Sequence, residues 1–309
     1  MIRVEGLTVK YGDFVAVEDV SFEIRRGEIF GYIGPNGAGK TTTIRVMATL
    51  LEPSAGTIYI DGKDVLKDAH EVKRHLGYMP DFFGVYDNLR VWEYLSFFGR
   101  LYGVESKLLE KRIDNAIKLT HLEGKKKSYV EDLSRGMKQR LCLAKTLIHE
   151  PELLILDEPA SGLDPNARIE IRDLLRDLQA KGKTILISSH ILSELAAVCD
   201  SVGILEKGKL LDWGKIEEVL DRIKEKRKVR LKLFGKTPEE ISTLLRNSGL
   251  VMEMRMEGEF YSLELEDDDE KEAGLVEYLI GHGVRIVIPS EKGAVLEEIF
   301  KATTKGEVV

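Results

Sequence analysis

Apolar and polar residues alternate from Arg3 to Lys10, and again from Ser21 to Ile24 before the turn residues Arg26-Gly27, so both stretches predict strands. Glu28 to Ile33 is a short apolar run that ends at Gly34 and a glycine-rich loop. Lys40 to Leu51 then carries helical spacing, which gives strand, loop, helix. Thr57 to Asp61, with Gly62 behind it, returns to strand and turn. Val91, Leu95, Phe98 and Tyr102 share one helical face, and Leu108 to Leu119 is a second amphipathic helix. These predict a helical insert, about residues 85–150, between two halves of an α/β core. A third helix is expected over Ser134 to His149, with Ser134 as its N-cap. Leu153 to Leu156 and Thr184 to Ser188 read as buried strands. Between them Ala167 to Lys181 reads as a helix closed by Gly182. Strands alternating with helices imply a mainly parallel sheet covered on both faces.

The pattern changes after Trp213. Residues 1–214 read as the α/β domain, and residues 215–228 as a charged, helical connector. Residues 229–309 read as a small α+β domain. It has a strand at Val229 to Phe234, a helix at Pro238 to Asn247, and strands at Leu250 to Met256 and Phe260 to Glu266 around a Glu257-Gly258-Glu259 turn. A helix at Asp268 to Gly281, a strand at Val284 to Ile288 and a last helix at Gly293 to Ala302 complete it. The order β-α-β-β-α-β is the ferredoxin-like arrangement.

A length of 309 residues fits this division, since single cores stop growing near ~250–300 residues. With 43% hydrophobic and 32% charged residues a packed core is expected rather than long disorder. A net charge of −7 argues against a protein that coats nucleic acid. Cys142 and Cys199 are far apart, without metal or redox spacing, and read as core thiols in a reducing cytosol. The start, MIRVEGLTVKYG, has no apolar run suited to a signal peptide. No stretch approaches the ~20 apolar residues of a spanning helix. Contact with a membrane is therefore expected only through a partner.

Two stretches carry chemistry. Gly34-Pro35-Asn36-Gly37-Ala38-Gly39-Lys40-Thr41 fits G-x-x-x-x-G-K-[ST] in full, after a strand and before a helix. Its glycines let several backbone N–H groups converge on one anion, and the helix start adds its positive end. Lys40 supplies a full charge toward β- and γ-phosphates, and the Thr41 hydroxyl is a Mg²⁺ ligand. Asn36, Gly37, Gly39, Lys40, Thr41 and Thr42 form the expected nucleotide-binding set. The second stretch, Leu153 to Leu156, delivers Asp157 and Glu158 to the end of a buried strand, where such sheets open on their ligand. Asp157 is expected to hold Mg²⁺, and Glu158 to polarise the water that attacks the γ-phosphate.

Leu133-Ser134-Arg135-Gly136-Met137-Lys138-Gln139-Arg140, shortly before the acidic strand, resembles the LSGGQ signature of ABC-transporter ATPase subunits. Ser161-Gly162-Leu163-Asp164 resembles that family's D-loop, and Ser188-Ser189-His190 its switch. The resemblance covers about Met1 to Gly214. It implies a P-loop NTPase core whose Ser134 and Gly136 face the γ-phosphate of ATP held by a second copy of the chain. It also implies that His190 reaches its own γ-phosphate and that Tyr11 stacks on adenine. The tail, ending Leu296-Glu297-Glu298-Ile299-Phe300, resembles a C-terminal domain of bacterial multidrug-, antibiotic- and polysaccharide-type exporters. The implied protein is a homodimeric, ATP- and Mg²⁺-dependent motor. It would sit on the inner face of the cell membrane and drive a separate permease, probing no nucleic acid.

The chain departs from the family pattern in places. Gly77-Tyr78-Met79-Pro80 leads to Asp81 where the family carries Gln, so Asp81 joins Thr41 and Asp157 as a candidate metal neighbour. Arg135 and Met137 replace the commoner Gly and Gln. Phe82, Phe83, Tyr86, Trp92, Tyr94, Phe97, Phe98 and Tyr102 are concentrated in one stretch, which reads either as packing within the insert or as a groove for the permease. An ABC-type ATPase acting on nucleic acid or ribosomes is the main alternative. Those usually carry long coiled-coil insertions or two ATPase units per chain, and this sequence has neither. A nucleotide-gated module that does not hydrolyse is opposed by Glu158 and His190.

Overall fold

The computed structural model describes residues 1–82, 84–191, 195–223, 226–266 and 268–287. These fall into two compact units that divide after Ile216. In chain order the first unit holds β1 (Ile2–Tyr11), β2 (Phe14–Ile24), β3 (Ile29–Ile33), α1 (Lys40–Met47), β4 (Ala55–Ile60), β5 (Lys63–Asp64), α2 (Ala69–His75) and β6 (Leu76–Met79). There follow α3 (Val91–Leu101), α4 (Ser106–Leu119), α5 (Arg135–Leu147), β7 (Leu153–Leu156), α6 (Pro165–Ala180), β8 (Thr184–Ser189), β9 (Ser201–Glu206) and β10 (Lys209–Lys215).

Two sheets organise this unit. One is antiparallel, in the order β2-β1-β4-β5; the other runs β10-β9-β3-β8-β7-β6. In the second sheet β3 pairs in parallel with both β8 and β9, and β7 with both β6 and β8, while β10 is antiparallel at one edge. β3, β7 and β8 are buried along their whole length, as strands covered on both faces must be. Phe22 of the antiparallel sheet stacks on Phe30 of β3, ring centroids 5.2 Å apart, so one core joins the two sheets. The insert has its own core, in which Tyr94 and Leu95 of α3, Leu109 and Ile113 of α4, and Leu141 and Ala144 of α5 meet.

Most elements the sequence pattern did not predict are short or half-exposed. β5 has two residues and β6 four, too few for an alternation to register. The hairpin β9–β10 was also missed: β9 is buried but its apolar run is broken by Gly203, and β10 alternates between exposed and half-buried positions without a strong apolar face. The helix expected over Lys40 to Leu51 stops at Met47. Thr49 takes φ +60°, a left-handed conformation that no helix continues through.

The second unit has α7 (Ile216–Ile223) at the division, then β11 (Lys226–Phe234), α8 (Pro238–Asn247), β12 (Val251–Glu257), β13 (Phe260–Glu266), α9 (Asp269–Gly281) and β14 (Arg285–Val287). The stretch expected as a connector therefore holds a helix and the first residues of a strand. Its basic residues had hidden the strand. The sheet order is β12-β13-β11-β14, every pair antiparallel. Leu231, Leu233, Leu263 and Leu265 meet Ile241, Leu245, Leu275 and Leu279 in its core. Thr237 caps α8 in a reciprocal box with Glu240. The expected last helix, Gly293 to Ala302, and Ile288 lie outside the described residues.

Candidate active site

β3 lies inside the six-stranded sheet and releases the chain at Ile33 into the glycine-rich loop, which ends where α1 begins at Lys40. Gly39 takes φ +104°, and a Cβ there would stand 2.6 Å from the Ala16 carbonyl, so the loop closes this tightly on β2 only with glycine. Lys40 is 6% exposed. Its Nζ donates to the Gly34 carbonyl at 2.6 Å and the Pro35 carbonyl at 3.2 Å. It also lies 3.5 Å from Glu158 Oε1. Burial pulls the ammonium below the usual lysine range, and the Glu158 carboxylate opposes that pull. Thr43 fixes the start of α1, its hydroxyl donating to the Gly39 carbonyl at 3.1 Å. Asn36 and Gly37 are exposed on the loop, and Thr41 and Thr42 are half-buried behind it.

The end of β7 brings the acidic pair to the same place. Asp157 is 1% exposed, and Ser188 at the end of β8 donates to its Oδ1 at 2.6 Å. Burial pushes this carboxyl above the ordinary range. Hydrogen bonds from Ser188 and Thr41 pull it back, and the nearby charge of Asp81 pushes it up again. Oδ2 is buried with no hydrogen-bond partner. Glu158 takes φ +50°, a conformation that costs of order 1–3 kcal/mol for a residue with a Cβ. Its amide donates to Ser188 Oγ at 2.9 Å, and its Oε2 lies 3.0 Å from His190 Nδ1. One carboxylate thus sits between Lys40 and His190.

Ser134 caps α5, accepting from the Met137 amide at 3.3 Å, and is exposed. Gly136 stands beside Leu163, and the Arg135 guanidinium covers Gly162, whose φ is +69°. Asp164 caps α6, accepting from the Ala167 amide at 3.0 Å. Among the described residues no hydrogen bond or ion pair joins Ser134 to Lys40, Asp157 or Glu158. Tyr11, 47% exposed, ends β1 at the tight turn into β2, the strand the loop closes on at Ala16.

Lys40, Thr41, Asp157, Glu158, His190 and Asp81 are therefore brought together. Ser134 and Gly136 are held with the Ser161–Asp164 loop. Two site residues had escaped the sequence reading. Ser188 was seen only as part of a motif, yet it bridges Asp157 and the Glu158 amide; its signal was a hydroxyl at the end of the neighbouring buried strand. Gln139, buried on α5, donates to the Pro159 carbonyl. Its signal was an amide on an otherwise apolar helix face.

A phosphate loop after β3 and a carboxylate pair after β7, parallel strands with only β8 between them, define a nucleotide triphosphate hydrolase of the P-loop class. Residues 17–161 match the ABC transporter family model. Over 220 residues the chain is 39% identical to the Nod factor export ATP-binding protein I of Ralstonia nicotianae, covering 71% of this chain and 68% of that one. With the protein of the same name from Neorhizobium galegae it shares 35% identity over 311 residues, 99% of this chain and 86% of the relative. A solved ATP binding subunit of an ABC transporter superposes with a TM-score of 0.66 at 33% identity, over 72% of this chain and 92% of that one. The chain belongs to the ABC transporter family, as an ATP-binding subunit that hydrolyses ATP to power transport. Among the described residues no helix is long and apolar enough to cross a membrane.

Proposed function

We propose that two copies of this chain close head to tail on two ATP molecules and drive a separate membrane permease in export. The observation that carries this reading is the division of labour within one chain. Lys40, Asp157, Glu158 and His190 converge, whereas the capped tip of α5 at Ser134 is exposed and bonded to none of them. A free helix N-terminus is an anion site, and a second chain's γ-phosphate is the anion it fits. Export is supported by the relatives from Ralstonia nicotianae and Neorhizobium galegae, both Nod factor export ATP-binding proteins.

In this reading Lys40 and the loop amides of Asn36, Gly37 and Gly39 bind the phosphates, with Thr42 beside them. Tyr11 stacks on adenine, an interaction of about 1–3 kcal/mol per base. The residues fit Mg²⁺: Asp157 presents a buried oxygen without a partner, and the Thr41 hydroxyl lies against the same carboxylate. Asp81 stands near enough for its charge to act on Asp157 and Lys40. When bound, the ion neutralises charge on the phosphate oxygens. Glu158 accepts the proton of the attacking water, and His190 orients Glu158 and contacts the γ-phosphate. Loss of that phosphate removes the contacts to the partner's Ser134 tip and opens the dimer.

In this reading the permease docks on the aromatic stretch, a reading supported by the exposure of Phe82, Tyr86, Trp92 and Phe97. The chain would lie on the cytoplasmic face of the membrane. The second unit is read as ferredoxin-like, on its element order and its β12-β13-β11-β14 sheet. Mixing Ser134→Arg with Lys40→Ala chains tests the composite site. Each variant alone should be nearly silent and the mixture active. Mixed dimers that form and stay silent would overturn the reading.

A further inference from the structure

Gln139 sits five residues beyond the cap of α5 and is 3% exposed, a polar side chain in the buried face that also carries Leu141, Cys142 and Leu143. Its amide nitrogen donates to the carbonyl of Pro159, the residue after Glu158. That position matters because Glu158 has an unfavourable backbone. It has φ +50°, a left-handed conformation, and such conformations persist only where the surroundings over-determine them.

Three contacts hold it, one of them the Ser161 amide, which donates to the Glu158 carbonyl at 3.1 Å. On one side the Glu158 amide donates to Ser188 Oγ at 2.9 Å. On the other, Gln139 fixes the peptide that leaves Pro159. Proline has no N–H, so this carbonyl is the main-chain group through which the segment is gripped from α5. Neighbouring contacts brace the same junction. Arg140 of α5 pairs with Glu170 of α6 at 2.5 Å, and Arg135 covers Gly162.

We propose that Gln139 is a positioning residue for the Glu158 carboxylate of its own chain. Resting on the composite-site reading above, each α5 then serves two nucleotides at once. Its Ser134 tip contacts the partner's ATP, and its Gln139 amide aims the base at its own. A shift of the tip moves Gln139 with it, because both belong to one helix.

The test uses the mixed dimer in which only one site works, built from the Lys40 and Glu158 of a Ser134→Arg chain and the Ser134 tip of a Lys40→Ala chain. Gln139→Leu is placed on one chain or the other, with the isosteric Gln139→Glu as a second variant should Leu fail to fold. On the chain whose Glu158 is working, kcat should fall roughly 10- to 100-fold with KM for ATP little changed, the scale of a small misplacement. The loss should be at least about fivefold smaller on the other chain. Equal losses, or a larger loss on the Lys40→Ala chain, overturn the proposal and make Gln139 a support of the tip. Should the mixed dimer be silent before Gln139 is touched, the composite-site reading is at fault. The otherwise unaltered homodimer then decides: lower kcat with unchanged KM supports the role of Gln139, and unchanged kcat overturns it.

Discussion

The hydroxyl of Ser188 donates to Asp157 Oδ1 at 2.6 Å and at the same time accepts from the amide of Glu158. One side chain at the end of β8 thus sets both carboxylates at the end of β7. In Ser188→Ala, Asp157 stays buried with a hydrogen bond fewer and the Glu158 amide loses its acceptor. Leaving such groups unpaired costs ~1–3 kcal/mol. Urea unfolding should show a loss of that size. ATPase activity should fall further than stability does, because the φ +50° backbone of Glu158 loses one of its restraints.

Glu158→Gln keeps the shape of the side chain and removes the base. Turnover should drop by ~10²–10⁴-fold while ATP still binds, and the nucleotide-loaded protein should accumulate as a dimer in light scattering. His190→Ala leaves the Glu158 carboxylate with Lys40 as its ionic neighbour. It should lower kcat with less effect on ATP affinity. Normal hydrolysis by Glu158→Gln would remove Glu158 from the base role.

How much of this could be read from the chain depends on what each residue contributes. The phosphate loop and the Asp157-Glu158 pair are local in sequence, and their neighbours state their context: a strand before Gly34, a helix after Lys40, an apolar run before Asp157. Buried strands made of unbroken apolar runs, such as β7, were legible for the same reason, whereas buried β9 was not. What the sequence hid was contact across elements. Ser188 and Asp157 are 31 positions apart, and Gln139 meets Pro159 across 20. No periodicity reports such pairs. The left-handed backbone of Glu158 was equally invisible, since it is imposed by packing against local preference. Short β5 and β6 were missed because two or four residues carry no pattern.

The aromatic stretch divides in two, and the division is testable. Tyr94 is fully buried, its ring tilted against Phe98 with centroids 4.9 Å apart, in the core of the insert. Phe82 is 90% exposed. Tyr94→Ala should cost about 3–5 kcal/mol, as large-to-small core changes do, and should reduce folded protein. Phe82→Ala should change stability by less than about 0.5 kcal/mol. With the permease in vesicles it should lower transport while ATP hydrolysis by the isolated subunit is unchanged. Equal transport by Phe82→Ala and the unaltered chain would move the docking surface elsewhere.

His149 predicts a pH dependence of stability that has nothing to do with catalysis. Its ring stacks on Tyr102 with centroids 4.0 Å apart, and Nε2 meets the Leu76 carbonyl at 3.1 Å. Nδ1 is buried without a partner. Burial pulls the pKa down to about 4 from 6.5. The bond to Leu76 opposes this, and the charges of Arg112 and Lys183 add to it. The unfolded chain therefore takes up a proton near 6.5 and the folded chain only near 4. Between those values the unfolded state holds the extra proton, so this contribution to stability is complete above 6.5 and is lost as pH falls toward 4. Each unit crossed is worth about 1.4 kcal/mol. His149→Phe retains the stack on Tyr102 and cannot titrate. It should be less stable than the unaltered chain at pH 7 by ~1 kcal/mol, the lost hydrogen bond. At pH 5 it should have recovered about 2 kcal/mol relative to it. Urea unfolding of both proteins at pH 7, 6 and 5 measures this difference directly, and a gap that stays constant across the three would mean that His149 is not the titrating group.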